Sequence, residues 1–129
     1  MVIDKKLMDE LSMKAKENPR LRTFFDLRNS ESDNSQRMLN ILEPGTQMTI
    51  HRHKATSETV CMLRGSVREM FYDENGNVIE SYILKAGSEC PAMTIPAGVW
   101  HELECLESGS ILLTVKDGKY APLKDEDKL

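Results

Sequence analysis

The sequence predicts an all-β domain of short antiparallel strands, folded as a sandwich or barrel and preceded by one α-helix. Three observations predict it. Short β-type runs follow one another from residue 36 to residue 116, with turn signals between them. One of those turns, Asp73-Glu74-Asn75-Gly76-Asn77, holds an Asn-Gly pair, a hairpin signal because a type I′ turn needs positive φ. Residues 3 to 17 instead carry apolar side chains at every fourth position, a helical period.

In the helix, Ile3, Leu7, Leu11 and Ala15 form one stripe, Asp4 is the expected N-cap and Asn18-Pro19 the stop. Such a stripe reads as a packing or dimer-contact surface. Residues 18 to 37 are polar, and Asn29 to Ser35 read as a surface loop. The expected strands are Gln36 to Leu42, ended by Glu43-Pro44-Gly45; Gln47 to His53; Ser57 to Leu63, ended by Arg64-Gly65; and Ser66 to Tyr72. Val78 to Leu84 returns from the Asn-Gly turn. Met93 to Ile95 then runs into Pro96-Ala97-Gly98, and His101 to Cys105 and Ser110 to Lys116 complete the set. The tail after Tyr120 is charged and expected to fray. The chain thus divides into a helix-and-loop extension (1–35), a barrel (36–120) and a C-terminal tail (121–129).

The 129 residues are enough for one domain with a core that needs no disulfide or zinc staple. Seventeen basic residues against 21 acidic ones leave a formal charge of -4. That balance argues against a nucleic-acid partner, because Arg20, Arg22 and Arg28 are interleaved with Asp26, Glu31 and Asp33. No stretch reads as a signal-peptide core or a membrane span, so the expected location is cytoplasmic, with no membrane partner. Cys61, Cys90 and Cys105 are odd in number and far apart, and are expected to be small buried or half-buried hydrophobes. No nucleotide-binding glycine loop is present.

The chemistry lies in the histidines. There are three, and all fall into one pattern with a carboxylate: His51, His53, Glu58 and His101. Three imidazoles and a carboxylate are a ligand set for one divalent metal ion, with Fe, Mn, Ni and Zn all open. In a strand, His51 and His53 share a face, and Met48 and Ile50 take the other. Glu58 follows a short turn and shares its parity with Val60 and Met62, while Pro96 and Gly98 set the turn that aims His101. One or two positions of a five- or six-coordinate ion stay open for water, substrate or dioxygen. Gly45, Gly65 and Gly98 shape the backbone and do not ligate.

The first block reads G(x)5HxH(x)4E(x)6G from Gly45 to Gly65, and the second reads PxGxxH from Pro96 to His101. These blocks resemble the two motifs of the cupin superfamily. The resemblance implies a single cupin domain, a double-stranded β-helix or jelly-roll barrel, with the metal held inside. Gln36 to Gly45, His51-Arg52-His53-Lys54, Pro96 to His101 and Val115 to Tyr120 are similar to the WbuC-type cupin-fold metalloproteins. The chain departs from the pattern in three places. Gly87 lies nine residues before Pro96 rather than six, Cys105 stands where an asparagine is common, and Thr23 to Leu27 lack an expected histidine- and asparagine-bearing segment.

Around the motifs, Arg37 and Asn40 either meet an anionic substrate at the rim or form surface salt bridges. Lys54 reads as solvated, and Trp100 as facing away from His101. Lys116-Asp117-Gly118 reads as an edge turn. Tyr72, Tyr82 and Tyr120 are alternative proton donors among which the sequence does not choose. Two functions follow. One is a metal-dependent isomerase, lyase or dioxygenase acting on a small sugar- or keto-acid-like substrate, with a place in cell-surface polysaccharide (O-antigen) biosynthesis implied by the WbuC resemblance. The alternative is a non-catalytic, metal-dependent small-ligand binding or sensing module. A metal-free acid–base cupin is a third reading. Edge strands need covering, so a homodimer through residues 18 to 42 is expected.

Overall fold

A computed structural model describes residues 1–129. The chain forms α1 (Lys5–Glu17), β1 (Arg22–Asp26), β2 (Ser35–Leu42), β3 (Glu58–Arg64), β4 (Ser66–Tyr72), β5 (Val78–Lys85), β6 (Ala92–Ile95), β7 (Trp100–Cys105) and β8 (Ser110–Asp117). A 3₁₀ turn follows at Asp125–Asp127. The strands make a five-stranded sheet, β1-β2-β8-β3-β6, and a three-stranded sheet, β5-β4-β7. Every pairing is antiparallel.

Alternation within β2 and β8 explains the architecture. Leu39, Ile41 and Ile111 face α1 and pack against Leu11 and Ala15. Residues of the opposite parity, including Leu42 and Leu112, join Val60, Met62, Val67, Phe71, Leu84, Ile95 and Cys105 between the sheets. A sheet covered on both faces needs apolar side chains on both, which accounts for the adjacent apolar residues Ile41-Leu42 in β2 and Ile111-Leu112-Leu113 in β8. Helix α1 begins where the Asp4 carboxylate accepts the Leu7 N–H at 3.0 Å, and ends at the extended Asn18 before Pro19. Its stripe is buried at Leu11 and Ala15 while Ile3 stays exposed. Gly65 joins β3 to β4 at φ +76°, and a Cβ there would lie 2.9 Å from Ser110 Cα.

Five expectations need correction. The 18–37 segment is not all loop, because β1 pairs with β2 from Arg22↔Leu42 to Asp26↔Met38. Its polar ends obscured the Thr23-Phe24-Phe25 run. Residues 47–53 form no strand; His51 alone makes isolated bridges, to His101 and to Lys128. The Asn-Gly turn is not type I′, since Gly76 takes φ +81° and Asn75 does not have positive φ. Asp73 organises it instead, accepting the Asn75 and Asn77 N–H groups at 2.9 Å each. Cys90 is exposed, unlike half-buried Cys61 and buried Cys105. Finally, the tail is docked: the Leu129 N–H donates to the Ile50 carbonyl at 2.9 Å, and the Arg52 N–H to the Asp127 carbonyl at 3.0 Å. No helix is long and apolar enough to cross a membrane.

Candidate metal centre

The three histidines converge at one end of the space between the sheets. The His51 and His101 backbones exchange two hydrogen bonds, at 3.0 and 2.8 Å, and the Gly98 N–H donates to the His53 carbonyl at 2.8 Å. The loop carrying the second motif is therefore clamped to the first. Ring centroids lie 4.3 Å apart for His51 and His101, 5.0 Å for His51 and His53, and 5.7 Å for His53 and His101. One nitrogen of each ring can be chosen so that all three lie within 4.8 Å of one another, a group that could hold a metal ion.

The hydrogen bonds fix which nitrogens are available. His51 Nδ1 lies 2.8 Å from the Thr49 carbonyl, and His101 Nδ1 lies 2.9 Å from the Val99 carbonyl. A carbonyl can only accept, so each Nδ1 carries the hydrogen and each Nε2 keeps its lone pair. This is the orienting contact that ligating imidazoles use. His101 is 3% exposed, and its Nε2 is buried with no hydrogen-bond partner in the protein. Burial, and then the neighbouring His101, pushes His51 down to about 4, and burial lowers His101. Both rings are therefore neutral at pH 7, the form that coordinates.

Glu58 flanks this group. Its Oε2 lies 3.2 Å from His53 Nε2 and 4.0 Å from His101 Nε2. Burial raises its pKa, but the hydrogen bond with His53 and the Lys116 charge outweigh that and hold it below the ordinary value. Lys116 Nζ lies 4.0 Å from Glu58 Oε2 and 3.4 Å from His53 Nε2. Burial lowers the ammonium pKa, partly offset by Glu58.

These groups open onto a cavity of about 450 Å³. Gln36, Asn40, Thr114 and Lys116 give it a polar wall, Leu42, Leu103 and Leu112 an apolar one, and Tyr120 to Leu123 with Lys128 cover it. Asn40 thus faces the cavity, where its Nδ2 donates to Thr114 Oγ1 at 2.9 Å. Arg37 has the opposite parity and pairs with Asp33 at 3.1 Å, the surface salt bridge. Lys54 is not simply solvated but pairs with Glu126 at 3.1 Å. Trp100 lies under the Arg52 guanidinium, 4.4 Å from its ring centroid. Of the tyrosines, Tyr120 lines the cavity, Tyr72 donates to Glu102 at 2.5 Å and Tyr82 to Glu80 at 2.6 Å. Met48 lines the cavity too, because the chain there is not a strand and alternation does not apply.

Lys116, Glu69 and the tail were missed as pocket residues. Lys116 belongs to β8, not to a turn, and shares the inward parity of Leu112 and Thr114. Glu69 shares the parity of Val67 and Phe71, so a carboxyl at an apolar strand position was the available signal. The tail left no signal, because its contacts are long-range.

A family model described as a domain of unknown function, DUF6016, matches residues 3–84. The chain belongs to the DUF6016 family. No curated protein matches it. Among solved structures, the DUF6016 chain is similar to a variant of Bacillus subtilis oxalate decarboxylase, with TM-score 0.56 and 30% identity, over 70% of this chain and 23% of that one. It is also similar to the capsular polysaccharide assembling protein CapF from Staphylococcus aureus, with TM-score 0.66 and 21% identity, over 87% of this chain and 32% of CapF. CapF with the inhibitor 3-isopropenyl-tropolone aligns with TM-score 0.62 and 22% identity, over 82% and 30%. The DUF6016 chain therefore spans about a quarter to a third of the length of these proteins. Its fold is a single cupin jelly roll with an N-terminal helix.

Proposed function

We propose that this DUF6016 protein is a mononuclear metalloprotein in which His51, His53, His101 and Glu58 hold one divalent ion. We further propose that it is a metal-dependent enzyme acting on a small polar, sugar- or keto-acid-like substrate. The observation that carries this reading is the buried His101 Nε2, which has no protein partner and lies beside two further imidazoles. A buried, unsatisfied nitrogen is costly unless something else takes its lone pair. A bound ion supplies Lewis acidity at its open positions. Glu58 balances its charge, neutral His51 and His101 keep their lone pairs available, and Lys116 offers a donor for an anionic substrate group. Fe, Mn, Ni and Zn all suit such ligands, and cellular supply decides among them.

The resemblance to WbuC-type cupins and the likeness to CapF support a substrate from cell-surface polysaccharide assembly. Free thiols at Cys61, Cys90 and Cys105 support a cytoplasmic location. The edge strand β1, with Phe24 63% exposed, supports a homodimer through residues 18–42, to be checked by solution scattering. The same pocket also suits a binding or sensing module, favoured by the tail that covers it. Incubating metal-loaded protein with sugars and keto acids, with and without dioxygen, separates the two. Product formation supports the enzyme, and ligand retention without product supports the binding module.

A further inference from the structure

Glu69 has no role in the metal site, yet it is among the most buried polar residues of the protein. It is 1% exposed, lies at an inward position of β4 and lines the cavity. Neither carboxyl oxygen has a hydrogen-bond partner in the protein. By contrast, its neighbour Glu102 receives the Tyr72 hydroxyl. A buried carboxyl left without partners is destabilising, and native proteins rarely keep one without a use. Burial, with Glu58 and Glu102 nearby, pushes Glu69 up to about 9, so it keeps its proton at neutral pH and can both donate and accept.

Its position says what it can reach. Across β4 and β7, Phe71 faces His101 and Glu69 faces Leu103. Glu69 is therefore one inward step along the strand from the rung of His101, about 6.8 Å away along the backbone. It also lies toward the apolar end of the cavity, with Leu103. A ligand oxygen held at the imidazoles lies level with the rung of His101, and a hydroxyl several bonds along the same ligand comes level with that of Glu69.

We propose that Glu69 is a ligand-contacting residue, hydrogen-bonding a hydroxyl on a carbon chain of about four or more atoms whose oxygen-bearing head sits at the three imidazoles. The proposal rests on the metal reading of the site. It narrows the substrate class to open-chain hydroxylated compounds such as sugar acids, and makes chain length the property that is recognised.

The test is a length series on cobalt(II)-loaded protein, with glycolate, D-glycerate and D-erythronate as probes and the visible absorption of cobalt as readout. In the wild type, affinity rises by about tenfold from glycolate to erythronate, as one hydrogen bond to a buried group would give. In Glu69→Leu that gain disappears, while glycolate affinity and cobalt stoichiometry hold. Glu69→Gln, which keeps a donor and an acceptor, retains most of the gain. A purely structural Glu69 would not move this length dependence. If Glu69→Leu does not fold, Glu69→Met takes its place. The proposal is overturned if the apolar variant keeps the gain, or if cobalt binds to the wild type with no length dependence; the metal reading then stands. Wild-type protein that takes up no cobalt overturns the metal reading and this proposal together.

Discussion

The main chains of His51 and His101 hold each other. The His51 N–H donates to the His101 carbonyl at 3.0 Å, and the His101 N–H donates back at 2.8 Å. Two residues fifty positions apart are thereby fixed as a hydrogen-bonded antiparallel pair, with no strand around His51 to help. The clamp is made by backbone atoms and does not depend on the imidazoles. In metal-free His51→Ala protein at pH 8, stability should therefore stay within about 1 kcal/mol of the wild type. Urea unfolding checks this, and a much larger loss would mean that the ring itself holds the loop.

Glu69 gives the protein a pH-dependent weakness. The unfolded carboxyl ionises near its ordinary value of 4.5, and the folded one only near 9. Between those values the unfolded chain has released a proton that the folded chain retains, so this residue's contribution to stability falls as pH rises. Glu58 and Glu102 are the charged groups that reinforce the effect. Glu69→Leu should therefore be more stable than the wild type at pH 8, by about 1–3 kcal/mol, with the advantage shrinking toward pH 4.5. Denaturation midpoints across that range test the sign as well as the size.

The docked tail depends on Arg52. Its Nε lies 3.1 Å from Asp127 Oδ1, and its guanidinium lies 4.4 Å from the Trp100 ring centroid. Arg52→Ala removes these contacts and the guanidinium's 3.4 Å bond to the Glu126 carbonyl, together worth about 1 kcal/mol at this partly exposed position. Amide exchange at Leu129 should then accelerate by several-fold, while the amides of β4 and β8 keep their protection. Equal protection of Leu129 in both proteins would show that the backbone contacts alone hold the tail.

The barrel was legible in the sequence because most of its strands carry apolar residues between clear turn signals. Positions such as Val60, Met62 and Val67 reach the core by alternation alone. The candidate site was legible because three histidines and Glu58 fall into two spaced blocks. What the sequence hid depends on distant partners. Strand β1 exists because β2 pairs with it, and residues 47–53 form a β-bridge only at His51. The tail folds over the cavity through contacts with Ile50 and Arg52, about seventy-five positions away, which no local pattern encodes. The Asn-Gly pair suggested one turn type, and the Asp73 carboxylate selected another.

The central claim is that the imidazoles share one ion, and the most direct measurement is metal content by elemental analysis. Protein purified natively, or reconstituted with Fe(II), Mn(II), Ni(II) or Zn(II), should hold about one equivalent of divalent metal, a single mononuclear site. His101→Ala should lose it while remaining folded. Wild-type protein that holds no metal under any reconstitution, or His101→Ala protein that keeps its full equivalent, would contradict the account.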